Sequence, residues 1–208
     1  CNYLVKYFFI WGTFFWNDSK SNINIVFDDY YLHDGMVRGD TLWGAAIHEG
    51  VVAAIDVSDK SAPVILGSTF TPGTFTHNAW ISDDGNYVFT TDEITSGYIA
   101  AVDVSNIADM SVIDQIQSWS PQDDVIPHNT HVKDNFLVTS YYCDGVTVVD
   151  ASDPFNLQEV AYYDTSDSTG GSSSGAWGAY PWLPSNRILV TDRQEGLHIL
   201  SVDNIEFS

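Results

Sequence analysis

Short apolar runs rich in β-branched and aromatic side chains, bounded by Gly, Asp, Asn and Ser, recur along most of the chain. No stretch combines a 3.6-residue apolar period with caps at both ends, so the pattern predicts strands and few helices. The clearest unit reads as a strand over Asn78 to Ile81, a turn Ser82-Asp-Asp-Gly-Asn86 and a strand over Tyr87 to Thr91. A third strand at Tyr98 to Val104 and a fourth near Ser111 to Gln117 complete it.

That unit repeats. His33-Asp34, His77-Asn78 and His128-Asn129 open three segments, and Ala176-Trp177 takes the same place in a fourth. An acid follows each start by sixteen residues: Glu49, Glu93, Asp144 and Asp192. Apolar strands then end at Asp56, Asp103 and Asp150, which are 47 residues apart and head Asp-Val-Ser or Asp-Ala-Ser turns. A period of this size with four strands per unit predicts an all-β, β-propeller-like fold of about four four-stranded blades. The units fall near 29–74, 75–121, 126–165 and 175–204, within a repeat domain over 29–208. Radial stacking of blades also hides the sheet faces and edges that such repeats would otherwise expose.

Residues 1–28 form an atypical N-terminal segment whose apolar run, Tyr3 to Trp16, is broken by Lys6 and too short to span a bilayer as a helix. We expect it to supply strands that complete a blade or contact another subunit; a truncated beginning is the rival reading. Cys1 stands where a processed lipoprotein carries its lipid, and equally where a fragment starts. With Cys143 it allows at most one disulfide and matches no spaced metal motif.

Composition narrows the partners. The 208 residues carry 28 Asp and Glu against 7 Lys and Arg, a formal net charge of -21, while 44% are hydrophobic. That balance suits a globular exported domain, favours cations, and excludes nucleic acid and anionic membrane surfaces as natural partners. Acidity alone also serves solubility.

The repeated pairs are the candidate chemistry. In a propeller the innermost strands line a central channel; if the repeated pairs lie near it, His33, His77 and His128 with Glu49, Glu93, Asp144 and Asp192 would make a belt of imidazoles and carboxylates suited to a transition metal such as Zn2+. The alternative is that each pair locks its blade by hydrogen bonds, which four near-identical copies also predict. Asp83-Asp84, Asp92-Glu93 and Asp123-Asp124 offer oxygen ligands for Ca2+ without the spacing of an EF-hand loop. Trp177, Tyr180 and Trp182 could stack on sugar rings or pack between blades. Asn17 heads an N-glycosylation triplet, and Ser166 to Ser174 form a Ser- and Gly-rich loop. No phosphate loop, nucleophile elbow or zinc-protease helix motif is present in the sequence.

Asp59-Lys-Ser-Ala-Pro-Val64, His77-Asn-Ala-Trp80 with Asp92-Glu93, His128-Asn-Thr-His-Val-Lys-Asp-Asn135 and Gly175-Ala-Trp-Gly-Ala-Tyr-Pro181 resemble, in this order, the LVIVD-repeat proteins, also called choice-of-anchor B proteins. The likeness covers roughly residues 30–200. It implies a secreted or surface-attached propeller of no assigned activity. The chain departs from the family in lacking upstream repeats and a trailing anchor domain, which points to a fragment or to a ring closed by residues 1–28 or another subunit. The expected function is a non-enzymatic extracellular or cell-surface module, structural, adhesive or ligand-binding, working as a homo-oligomer or with other surface proteins or glycans. The alternative is a metal-dependent hydrolase or lyase built on the central His and acid ring.

Overall fold

The computed structural model describes residues 9–10, 13–18 and 21–26 as paired strands, and residues 30–119, 124–184, 186–203, 205 and 207 in full. Cys1, Asp123 and the rest of the N-terminal segment lie outside the described residues. Asn17 falls on a strand of the first sheet.

The described chain is all-β apart from one 3-10 turn at Ile107–Asp109. Three antiparallel sheets have four strands each, in chain order. They are β4–β7 (Leu32–Arg38, Thr41–Ala46, Val51–Asp56, Val64–Phe70); β8–β11 (Thr76–Ile81, Tyr87–Asp92, Ile99–Asp103, Ser111–Ile116); and β12–β15 (Thr130–Lys133, Phe136–Ser140, Val146–Asp150, Gln158–Tyr163). The fourth unit, β16–β18 (Ala176–Leu183, Arg187–Asp192, Gly196–Ser201), has three strands among the described residues. A further three-stranded sheet, β1–β3 (Phe9–Ile10, Thr13–Asp18, Ser21–Val26), comes from the N-terminal segment. The blade architecture read from the sequence is therefore present, with a correction to strand number in the fourth unit.

Period-two alternation explains how the sheets stack. In β6, Val51, Ala53 and Ile55 join a core on one face, while Val52 and Ala54 pack with Ala79, Ile81, Val88 and Val102 of the next unit. In the third unit Leu137 and Val149 meet Phe89, Ile99 and Ala101 behind them. Their neighbours Val138, Val146 and Val148 meet Ala179, Ile188 and Val190 ahead. Middle strands are thus buried on both faces and read as continuous apolar runs. Each fully buried Val or Ile contributes about 1.5–3 kcal/mol relative to exposure. In β18 the face away from the third unit is open, with Leu197 and Ile199 exposed.

Two local devices set the blade ends. Asp56, Asp103 and Asp150 each accept the backbone N–H of the Ser two residues on, at 2.8, 2.9 and 2.8 Å, the turn their spacing predicts. In the second and fourth units the last residue of the second strand latches the chain as it crosses between blades. Buried Asp92 accepts from Thr71 Oγ1 (2.5 Å), Gly73 N (2.8 Å) and Phe75 N (3.1 Å). Asp192 accepts from Thr165 Oγ1 at 2.5 Å in the same way.

Gly145 and Gly196 open equivalent third strands with φ of 73° and 89°. A Cβ on Gly145 would lie 2.1 Å from the Tyr163 carbonyl of the fourth strand, whereas one on Gly196 meets nothing within 4 Å. Gly196→Ala should therefore cost only the left-handed penalty, about 1–2 kcal/mol, and Gly145→Ala distinctly more, about 3 kcal/mol. Asp92→Ala, which strands the buried Thr71 hydroxyl and the partly buried Gly73 and Phe75 amides, should cost about 3 kcal/mol. Denaturant unfolding with an unchanged m-value checks all three.

Candidate metal centre

The site forms where the first strands of successive units lie side by side. In β4, β8 and β16 the ladder slips by one residue between Leu32 and Asp34, Thr76 and Asn78, and Ala176 and Gly178. Each slip is a β-bulge, which leaves one residue extra and re-aims its side chain. The third unit does the same: His128 N donates to the Ser140 carbonyl, and Ser140 N donates to the Asn129 carbonyl. The bulged residues are His33, His77, His128 and Trp177. The equivalent of the histidines in the fourth unit is therefore Trp177 and not Ala176.

These four side chains form a continuous row. Ring centroids are 4.3 Å apart for His33 and His77, 4.4 Å for His77 and His128, and 4.3 Å for His128 and Trp177. The second unit is tied to the third, and the third to the fourth, through a backbone carbonyl. His77 Nδ1 (3.0 Å) and Thr91 Oγ1 (2.5 Å) donate to the His128 carbonyl. His128 Nδ1 (2.5 Å) and Ser140 Oγ (3.0 Å) donate to the Trp177 carbonyl. The buried amide of Asn78 extends the seam, donating to Asp34 Oδ2 (2.7 Å) and accepting from Thr130 N (3.1 Å).

A carbonyl only accepts, so Nδ1 carries the hydrogen in both rings and Nε2 of the neutral ring presents a lone pair. Burial holds His77 well below the usual imidazole range and His128 at about 4, so both are neutral at pH 7. Both Nε2 atoms face one carboxylate: His77 Nε2 lies 3.3 Å from Glu93 Oε2, and His128 Nε2 lies 3.9 Å from Oε1. The three ligand atoms are within 4.8 Å of one another. The Tyr142 hydroxyl donates to Glu93 Oε1, and burial beside that carboxylate raises its pKa.

The other sequence candidates lie elsewhere. His33 stacks on His77 outside this trio. Glu49 has a buried carboxylate oxygen that meets no hydrogen-bond donor among the described residues. Asp144 accepts from Ser118 Oγ at 2.5 Å, and Asp192 is held by Thr165 and by the backbone of Gln194 and Glu195, so both serve blade ends. Asp84 is engaged by Ser82 and Asn86 within its turn, and Asp92 by the crossover. Trp182 packs on Trp80 at 5.2 Å and on His131, whose pKa burial lowers to about 4. Tyr180 and Trp177 remain about half exposed. Cys143 is a buried free thiol 3.2 Å from Ser172 Oγ.

The constant sixteen-residue spacing hides a difference. Asp34 pairs with Ala45 and Asn78 with Thr91, because the first hairpin of the second unit is two residues longer. The same holds for the fourth unit, where Gly178 pairs with Thr191. Matched by strand pairing, the equivalent positions beyond the second strand are Ile47, Glu93, Tyr142 and Arg193, Tyr142 standing two residues past the end of β13 and the others one. Tyr142 and Arg193 are the site residues that counting missed; aligning the units on the second strand, with Ala46, Asp92, Tyr141 and Asp192 in register, would have found them.

No curated protein matches the sequence. The fold is similar to a periplasmic gluconolactonase of Pseudomonas aeruginosa (14% identity, TM-score 0.67, 83% of this chain and 50% of that one). It is also similar to a β-propeller domain from Myceliophteria thermophila (11%, 0.63, 83% and 51%). A Bacteroides fragilis protein named as a 6-phosphogluconolactonase is a third (15%, 0.69, 92% and 60%). The chain thus spans 50%, 51% and 60% of these propellers, and likeness at such identity shows the fold alone. The LVIVD repeat matches residues 46–71, from the end of β5 through β7, and 129–165, which take in β12–β15. The chain therefore carries the LVIVD repeat twice on stacked four-stranded blades, and in those two stretches it is similar to the LVIVD-repeat proteins.

Proposed function

We propose that this propeller is a metal-binding module that holds one divalent transition ion, zinc by preference, between His77, His128 and Glu93 at its axis. The observation that supports it is the convergence of two imidazole lone pairs on one carboxylate with each Nδ1 committed to a backbone carbonyl. Three acceptors facing one another repel unless a cation sits between them. A ligating histidine whose other nitrogen donates to a carbonyl is the usual outer arrangement of a protein metal site, and Tyr142 holds the carboxylate likewise. Zinc bonds of about 2.0–2.2 Å require only a small inward movement of these atoms. Three protein ligands leave a fourth position for water or a ligand.

The acidic surface and the LVIVD resemblance support a place outside the cytoplasm, where such a module captures a ligand through its ion. A hydrolytic role is the second reading. It is favoured by the four different residues Ile47, Glu93, Tyr142 and Arg193 at one repeated position, an asymmetry that blade locking does not require. The gluconolactonase names of two neighbours make a δ-lactone the first substrate to try.

After dialysis against Zn2+ the purified chain should retain one zinc per molecule by elemental analysis. Glu93→Gln and His77→Asn should weaken binding by about 100-fold or more, and Tyr142→Phe by about 10-fold. Asp144→Asn should leave binding unchanged. The His77→Asn amide can still donate to the His128 carbonyl, so unfolding free energy should fall by no more than about 1 kcal/mol. Wild-type zinc affinity in both Glu93→Gln and His77→Asn, or no zinc in the wild-type chain, would overturn the assignment. Zinc-dependent lactone hydrolysis lost in Glu93→Gln would establish the second reading; a zinc-loaded chain inert toward lactones would remove it.

A further inference from the structure

Arg193 occupies in the fourth unit the position that Glu93 holds in the second. It is an exposed cation in a chain where acids outnumber bases 28 to 7. Even so, among the described residues no carboxylate lies within ion-pair distance of it; the ion pairs there involve Arg38, Lys133 and the two histidines. Other groups hold the guanidinium in place. Nη1 donates to the Ser173 carbonyl (2.6 Å) and to Ser173 Oγ (3.0 Å), and the guanidinium carbon lies 5.3 Å over the Trp177 ring. Trp177 is in turn 4.3 Å from His128, so the cation stands one aromatic ring away from a proposed metal ligand. The Nε and Nη2 hydrogens, the edge that forks onto a carboxylate or phosphate, meet no acceptor among the described residues.

A long cationic side chain fixed on three sides has already lost most of its rotamer freedom, which lowers the cost of binding an anion. We infer that Arg193 is an anion-recognition residue: it receives the carboxylate or phosphate group of a small ligand whose other polar end reaches the axial site. The inference rests on the metal-binding reading for the second half of that ligand, and on Arg193, Ser173 and Trp177 alone for the first. The half-exposed indole of Trp177 supplies the floor between the two ends.

Calorimetric titration of the full zinc-loaded chain with acetate and with inorganic phosphate, repeated on the metal-free chain, tests it. Zinc content is measured after each run. Arg193→Gln should weaken binding of the preferred anion by about 10-fold, as expected for a charge-assisted pair, with zinc affinity unchanged. Arg193→Lys should recover only part of the loss, because an ammonium lacks the fork. A larger loss for acetate assigns a carboxylate ligand, and a larger loss for phosphate assigns a phosphate ester. Equal anion affinity in the wild type and Arg193→Gln would overturn the inference and leave the metal site standing. Absence of zinc with Arg193-dependent anion binding by the metal-free chain would uphold the anion site and overturn the metal site.

Discussion

Two backbone carbonyls decide the geometry of the axis. The bulged residues His128 and Trp177 offer their C=O to the unit before them, and each oxygen takes both an imidazole N–H and a hydroxyl. A bulge turns two consecutive side chains toward the partner strand at once, so the ladder can continue while one residue looks down the axis. Blade spacing, imidazole tautomer and lone-pair direction are then a single choice. Removing any of the four donors would leave a buried acceptor short of a partner, so packing and chemistry are coupled in these residues.

The locking and ligating readings of the histidines are therefore not rivals. Nδ1 locks and Nε2 keeps a free lone pair, so the same ring has a nitrogen for each role. The acids divide differently: Asp92, Asp144 and Asp192 are spent on the chain crossovers between blades, and Glu93 alone joins the imidazoles. Much of the chain's acidity thus has a structural use in capping turns and crossovers, over and above its effect on solubility and partner choice.

The strands, the Asp-Ser turns and the blade period were legible because each depends on local chemistry: alternation, turn residues and repetition. Strand pairing is not local. Glu93 and Asp144 stand the same number of residues after their histidines, yet one reaches the axis and the other a crossover, because the first hairpin of the second unit carries two more residues than that of the third. The substitution of Trp177 for histidine was hidden by a one-residue offset at the bulge. Among the described residues no fourth strand pairs with β18, and that leaves no trace in the composition of Gly196 to Leu200, whose apolar residues look like those of its buried counterparts.

The position just past the second strand has a wider meaning. Ile47, Glu93, Tyr142 and Arg193 are apolar, anionic, phenolic and cationic, yet all four sit on equivalent backbone. The main chain at Glu93, Tyr142 and Arg193 bonds Phe75, Ala176 and Gly175 of the crossovers, and any side chain could stand on those amides, so the frame does not dictate their identity. Four such slots around one axis behave as interchangeable sockets, through which descendants of this scaffold could exchange ligand preference one side chain at a time while the blades stay unaltered.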